Sequence, residues 1–485
     1  MKKIIGISLL AASVVLMASL SGCSKEFATI DGRYDASPYG MADEVGGEGG
    51  IFDGGEGGGQ GSASSGVMTA GEWNDIANWD FWAKLLNNQD WAGYGSYWKF
   101  YPRNFVYVEL IDSFEAPVCG MKVKLQKNGQ DVWEAVSDNT GHAALWANLT
   151  DDSFKVEPSD YTLIINGTKY QELLFTTPNT KEVAVNKITV SPVKVLNAID
   201  VAFIVDATGS MDDEIRFLKE DLKSIITFVG QQCTAQVRTA TVFYRDEGDD
   251  YVTKYSQFTS TLNETINYIN DQRADGGNDI PEAVHKALSE GLESLEWDTH
   301  VKSRVAFLIL DAPPHHTNEI IDSCQKLISG YAKMGIKIVP VACSGIDKGT
   351  EYLLRSFAMA TNGTYVFVTD DSGVGYDHIE ATVGDYEVEK LNDLIARLII
   401  AYAKYVASFC ILSYISYLSK KGQLRMRGCP FGFLIFPVRE VLRRAGGGRC
   451  GIGRCCASRG SGWRDALGFR GGRMTGCVLR LRPPS

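Results

Sequence analysis

Between residues 106 and 191 apolar and polar side chains alternate in twos. VYVELID, MKVKLQK, VWEAVSD, HAALWAN, YTLIING, KYQELLF and EVAVNKITV each keep that period, with NG, NTG and PN turns between them. A period of two turns one face inward and one toward water, so this segment predicts a β-sandwich of about seven strands. From 192 to 402 the pattern changes. Apolar runs at 199–205, 238–244, 304–310, 336–342 and 363–368 alternate with amphipathic stretches at 212–230, 281–295, 318–334, 350–361 and 388–402. Strand–helix alternation predicts a mostly parallel, doubly wound α/β domain, long enough for a single core.

The flanking segments carry other patterns. Residues 67–105 hold five of the nine Trp (Trp73, Trp79, Trp82, Trp91 and Trp98) and read as a small cap packed on the next domain. Residues 39–66 are Gly-rich and form no packed structure, so 23–66 reads as a tether. At the start, Lys2 and Lys3 precede an apolar run at 4–20, followed by Leu20-Ser21-Gly22-Cys23. That is the layout of a cleaved leader. The last four residues resemble the bacterial lipobox. The resemblance implies that 1–22 is removed, that Cys23 is lipidated, and that the chain is anchored to a membrane of the bacterial cell envelope. The outer membrane fits best, with the surface and periplasmic faces both open.

Composition divides the chain. Residues 403–485 carry 16 Lys+Arg against 2 Asp+Glu, a net +14. The other 402 residues carry 32 against 57, a net −25. Beyond Lys421 every basic residue is Arg, and no helical or strand period survives. The tail at 403–485 therefore reads as a frameshift or junction product. The apolar stretch at 399–418 does not read as a membrane span, because Lys404 interrupts it. An acidic body argues against a nucleic-acid partner, since phosphate binding needs clustered Lys and Arg. Outside the tail and Cys23, the cysteines Cys119, Cys233, Cys324 and Cys343 show no CxxC spacing. Neither a disulfide framework nor a zinc site is expected.

Ligands of open α/β sheets bind at the carboxyl ends of the strands. Three turns belong there: Asp206-Ala207-Thr208-Gly209-Ser210-Met211, Asp275-Gly276-Gly277-Asn278-Asp279-Ile280-Pro281-Glu282 and Asp311-Ala312-Pro313-Pro314-His315. They offer oxygen donors and no thiolate, which suits a hard divalent cation such as Mg²⁺, Mn²⁺ or Ca²⁺. The acidic turn Asp246-Glu247-Gly248-Asp249-Asp250 lacks EF-hand spacing and reads as a solvated hairpin turn, and His315 and His316 read as loop histidines.

Asp-x-Thr-Gly-Ser after the strand IDVAFIV resembles the von Willebrand factor A domain and its metal-ion-dependent adhesion site. The phrases Phe243-Tyr244-Arg245-Asp246 and Gly363-Thr364-Tyr365 fit the same family. The resemblance implies metal ligation by Asp206, Thr208 and Ser210 of the first turn and Asp311 of the third. In the second turn, where the commonest form has Thr, it places Asp279, with Asn278 as its neighbour. The implied cofactor is a divalent cation, best Mg²⁺, with Mn²⁺ or Ca²⁺ as alternatives. The implied partner is a protein offering a carboxylate. The sandwich phrases Ala116-Pro117-Val118-Cys119-Gly120 and Ser137-Asp138-Asn139-Thr140-Gly141 resemble carboxypeptidase regulatory-like (transthyretin-like) modules, which act as spacers.

The chain is thus expected to be multidomain: an α/β doubly wound, Rossmann-like von Willebrand factor A domain at 192–402, preceded by an all-β sandwich at 106–191. Its expected function is metal-ion-dependent protein binding or adhesion. The alternative is a metal-independent periplasmic scaffold or assembly factor. No enzymatic chemistry is expected, because no P-loop, GxSxG or GxGxxG motif stands in the right context.

Overall fold

The computed structural model describes residues 66–277, 280–372 and 380–404. The leader, Cys23, the tether up to residue 65, Asn278, Asp279 and the tail from 405 onward lie outside the described residues.

The aromatic segment forms strand β1 (Thr69–Trp73) and helices α1 (Trp79–Leu85) and α2 (Gln89–Trp98). The Asn88 side chain caps α2 by accepting the N–H groups of Asp90 and Trp91 at 2.9 and 3.2 Å. All five Trp are buried. Trp82 and Trp98 satisfy their indole N–H groups on the carbonyl oxygens of Pro102 and Gly349. The rings therefore fill a core and present no exposed aromatic platform.

Seven strands follow: β2 (Phe105–Ile111), β3 (Lys122–Lys127), β4 (Gln130–Val136), β5 (His142–Trp146), β6 (Tyr161–Ile165), β7 (Thr168–Tyr170) and β8 (Val185–Thr189). They make a three-stranded sheet, β5-β2-β8, and a four-stranded sheet, β4-β3-β6-β7. Two hairpins close through Asn128-Gly129 and Asn166-Gly167, with φ of 50° and 82° and of 48° and 78°. Two successive left-handed residues make the tight turn that matches strand twist. Val106, Val108 and Leu110 of one sheet and Val123, Leu125, Leu163 and Ile165 of the other lie in the same buried cluster.

The α/β region contains β9 (Leu196–Asp206), α3 (Asp212–Gln232), β10 (Gln236–Tyr244), β11 (Thr253–Thr259) and α4 (Leu262–Asn270). Then come α5 (Val284–Ser289), a π-helical turn (Glu290–Ser294), β12 (Val301–Leu310), α6 (Asn318–Met334) and β13 (Ile336–Ala342). It ends with α7 (Lys348–Ala360), β14 (Tyr365–Thr369), β15 (Glu389–Lys390) and α8 (Leu391–Ala403). The eight-stranded sheet runs β11-β10-β9-β12-β13-β14-β1-β15. β10, β9, β12, β13 and β14 are parallel, and β11 and β1 join antiparallel. Strand β1 thus extends the sheet beyond 192–402, sealing the edge of β14 with a segment from the aromatic region. Among the described residues no helix is long and apolar enough to cross a membrane. Cys119, Cys233, Cys324 and Cys343 form no disulfide.

The middle stretches of the central strands are apolar because both faces are covered. Ile199, Val201, Phe203 and Val205 of β9 meet Leu218, Leu222 and Ile225 of α3 and Leu394, Ile395 and Leu398 of α8. Ala202 and Ile204 face the opposite way, into the cluster holding Leu288, Leu327 and Ile328. This double covering fixes the sheet register, and the register fixes which residues emerge at its carboxyl edge.

Candidate metal centre

Strand β9 ends at Asp206, beside Tyr244 of β10 in the parallel register, while Ile309 of β12 lies opposite Val205. Asp206 and Asp311 therefore emerge side by side. Asp206 is fully buried, and Oδ1 accepts the backbone N–H of Thr208 at 2.9 Å and its hydroxyl at 2.7 Å. The Thr208 and Ser210 hydroxyls are 3.1 Å apart. The Ser210 hydroxyl in turn acts on the Asp311 carboxyl, opposing the upward push of burial. The structure thus brings together Asp206, Thr208, Ser210 and Asp311. Asp279 and its neighbour Asn278 lie outside the described residues.

Two oxygens of this group lack partners: Oδ2 of Asp206 and Oδ1 of Asp311 are buried without a hydrogen bond. Burial pushes the Asp206 carboxyl up to about 6, against the hydrogen bonds from Thr208. Burial and then the Asp206 charge push Asp311 up to about 7. Unpaired buried carboxylate oxygens are costly unless a cation or proton meets them. Helix α3 begins just after Ser210, and its N-terminus carries partial positive charge toward the same edge.

The second loop is folded directly against the first. Asp275 N–H donates to Ala207 O at 3.1 Å, and Gly209 N–H donates to Gly276 O at 2.9 Å. Gly277 has φ +64°, and a Cβ there would stand 2.7 Å from Thr208 Cβ and 2.6 Å from Glu282 Oε1. Only glycine fits this close approach. Glu282 then bonds its N–H to Pro313 O at 3.0 Å, tying the second loop to the third. Its side chain is buried with Oε2 unpartnered. Burial, followed by the charges of Asp206, Asp246, Asp311 and Asp249, pushes it up to about 9.

The acidic turn is the hairpin turn between the antiparallel strands β10 and β11, with Glu247, Gly248 and Asp250 exposed, but Asp246 and Asp249 are built into the same edge as the site. Asp246 is buried and meets His315 Nε2 at 2.8 Å. Asp249 Oδ2 accepts the N–H groups of Asp246 and Gly277 at 3.1 and 3.0 Å. Arg245 bonds Ala207 O and Arg273 O at 3.1 and 3.0 Å, lashing the first and second loops together. His316 stacks on Tyr97 at 3.6 Å. On the floor, Glu214 of α3 is fully buried and accepts the Ser344 hydroxyl. Sequence reasoning did not single out Glu282, Asp246 or Glu214 as site residues. For Glu282 a signal existed: it closes the Gly-Gly-Asn-Asp-x-Pro-Glu run.

Among the described residues no three His, Cys, Asp or Glu side chains stand close enough to hold an ion by themselves. The hydroxyls of Thr208 and Ser210 are needed to complete a donor set. Cys343 offers no thiolate here, because burial holds its thiol well above the ordinary range. An all-oxygen set with neutral members fits a hard divalent cation. A concavity of about 620 Å³ near Trp73, Trp79 and Lys181 shares no residue with this edge.

Residues 200–373 match the von Willebrand factor A domain family. The chain thus contains a von Willebrand factor A-type α/β domain with a central mixed sheet. It is 32% identical over 131 residues to an ariadne-like RING finger protein of Acanthamoeba polyphaga mimivirus, an alignment covering 27% of this chain and 13% of the other. It is 23% identical over 224 residues to the alpha-protein kinase vwkA of Dictyostelium discoideum, covering 46% of this chain and 35% of that protein. The chain therefore spans well under two thirds of the length of either relative. Among solved structures, a von Willebrand factor type A protein from Catenulispora acidiphila aligns over 63% of this chain and 50% of that chain, at 12% identity and a TM-score of 0.30. The pilus adhesin SpaC of Lactobacillus rhamnosus GG aligns over 43% and 30%, at 14% identity and a TM-score of 0.29.

Proposed function

We propose that the von Willebrand factor A-type domain binds a divalent cation through Asp206, Thr208, Ser210 and Asp311, with Asp279 from the second loop, and uses it to hold a partner protein. One observation carries the reading. Two buried carboxylate oxygens, Asp206 Oδ2 and Asp311 Oδ1, lack any hydrogen bond beside a linked pair of hydroxyls. Mg²⁺ suits the set best, and Mn²⁺ and Ca²⁺ share its preference for oxygen. When bound, the cation supplies a Lewis-acidic position that a partner's carboxylate can complete. Thr208 and Ser210 orient the donors, and Arg245 holds the loops in place. No group of the chain is assigned a chemical step, so the reading is one of binding rather than catalysis. The two small sheets at 105–189 act as a sandwich-like spacer, and lipidated Cys23 anchors the chain to the bacterial envelope.

The test is calorimetric titration of the full chain with Mg²⁺, Mn²⁺ and Ca²⁺, beside Asp206→Ala. Saturable binding that the variant loses supports the reading, and no binding by the wild type rejects it. Partner capture that persists in EDTA assigns the interaction to surfaces away from this edge. Mass spectrometry of the membrane-extracted protein tests acylation at Cys23.

A further inference from the structure

The second loop ends in a buried acid that the cation reading leaves without a role. We infer that Glu282 sets the cation affinity of this site, as a buried carboxyl whose unpartnered oxygen favours a bound divalent cation over an empty centre. The inference rests on the cation reading above and deepens it.

The geometry is specific. Main-chain contacts pin Glu282 between two loops, through its N–H to Pro313 O at 3.0 Å and its parallel bridge with Pro314. Its side chain is 2% exposed, and Oε2 has no hydrogen-bond partner. Its Oε1 and the Thr208 Cβ stand on two sides of the gap that Gly277 leaves open, 2.6 and 2.7 Å from where a Cβ would sit. Glu282 therefore reaches the same small space as the hydroxyl loop. Its acidic neighbours are Asp206, Asp246, Asp311 and Asp249. A side chain kept only for packing would leave no buried oxygen without a partner, because a buried polar atom lacking a hydrogen bond opposes folding. A divalent cation gives that oxygen an attractive partner, and groups beyond the direct ligands tune metal affinity in this way.

The test uses the full chain as wild type, Glu282→Gln and Asp206→Ala. Gln keeps the size and removes the charge. Two quantities are read: Mn²⁺ affinity by calorimetry, and Tm of the chelated protein. Glu282→Gln is expected to leave the cation-free Tm unchanged and to weaken Mn²⁺ binding by about 10- to 100-fold. An unmoved Tm with weakened binding separates a cation role from a packing role, since loss of a structural contact lowers Tm and leaves affinity unmoved. Affinity unchanged in Glu282→Gln but lost in Asp206→Ala overturns this inference alone. A Glu282→Gln protein that does not fold, or that melts earlier, also overturns it. No wild-type binding, or binding that Asp206→Ala keeps, overturns the cation reading and this inference with it.

Discussion

Asp206 Oδ1 accepts both the backbone N–H and the hydroxyl of Thr208, at 2.9 and 2.7 Å. These two bonds fix the carboxylate's rotation, so Oδ2 stays buried, unpartnered and aimed away from Thr208. A ligand that binds only the folded state adds stability by mass action. Mg²⁺ at 100 times its Kd should raise the unfolding free energy by about 2.7 kcal/mol. Asp206→Ala should lose that increment, and Thr208→Val should reduce it by taking away a donor. Urea unfolding with Mg²⁺ and with EDTA measures it. Equal increments in wild type and Asp206→Ala would place the cation elsewhere.

Gly277 offers a second approach that leaves every donor atom in place. Its φ of +64° and the 2.7 Å approach to Thr208 exclude a Cβ. Gly277→Ala should destabilise the protein by more than about 1 kcal/mol. It should also weaken the cation, because the second loop must move off Thr208. Gly129, with φ +82° but open space around it, is the control. Gly129→Ala should lower stability through backbone strain alone and leave Mg²⁺ affinity intact. Equal Mg²⁺ affinities in both variants would show that loop contact does not shape the site.

The parts of the fold that were legible are those whose burial is decided locally. Helix α6 occupies 318–334 as its period predicted, with the Thr317 hydroxyl accepting the Ile320 N–H at its start. The central strands were legible because burial on both faces keeps their middle stretches, such as 201–205 and 305–310, apolar. Strand β1 was not: TAGEW is short and partly polar, and its Thr69 meets Thr369, 300 residues later. The edge strand β11, TKYSQFT, was equally silent, since an edge needs no apolar period. The stretch expected as one helix at 281–295 divides into α5 and a π-helical turn. At the site, the turns bearing Asp206, Thr208, Ser210 and Asp311 could be placed from strand ends alone. Asp246 and Glu282 could not, because acidic turn residues are ordinarily solvated. Their burial arises only when loops from β10, β12 and the second turn close on one another.

Arg355 of α7 and Asp75 of the aromatic segment form a second buried relationship, far apart in sequence. Arg355 Nη2 lies 2.6 Å from Asp75 Oδ1, both side chains are buried, and Glu351 Oε1 is 3.0 Å from Nη1. The guanidinium also lies 5.0 and 5.2 Å from the rings of Trp82 and Trp91. Removing one member of a buried pair strands the other. Asp75→Ala should therefore cost about 3–5 kcal/mol, toward the lower end because Glu351 remains. The exposed pair Lys84–Asp80, at 2.5 Å, is the comparison. Asp80→Ala should change stability by less than about 1 kcal/mol. Denaturant unfolding of both variants decides it, and equal losses would contradict burial as the cause.

His285, on α5 beside the metal edge, supplies the pH dependence. It is buried with Nδ1 unpartnered. Burial and then the Lys286 charge hold its imidazole below the ordinary 6.5, while Glu247 acts in the opposite sense. Glu247 stands 3.8 Å away, and Asp246 and His315 face it from the neighbouring loops. The folded state thus releases a proton that the unfolded chain retains. Stability from this group is complete above 6.5 and is lost as pH falls through the lowered folded value. His285→Gln removes the titration and keeps a polar side chain. Wild-type stability should therefore fall more steeply than that of His285→Gln between about pH 7 and pH 5. Groups that do not face His285 contribute equally to both proteins, so the difference between the two curves reports the imidazole together with its charged neighbours. Parallel curves across that range would show that the folded protein leaves the imidazole at its ordinary value, with Glu247 offsetting burial.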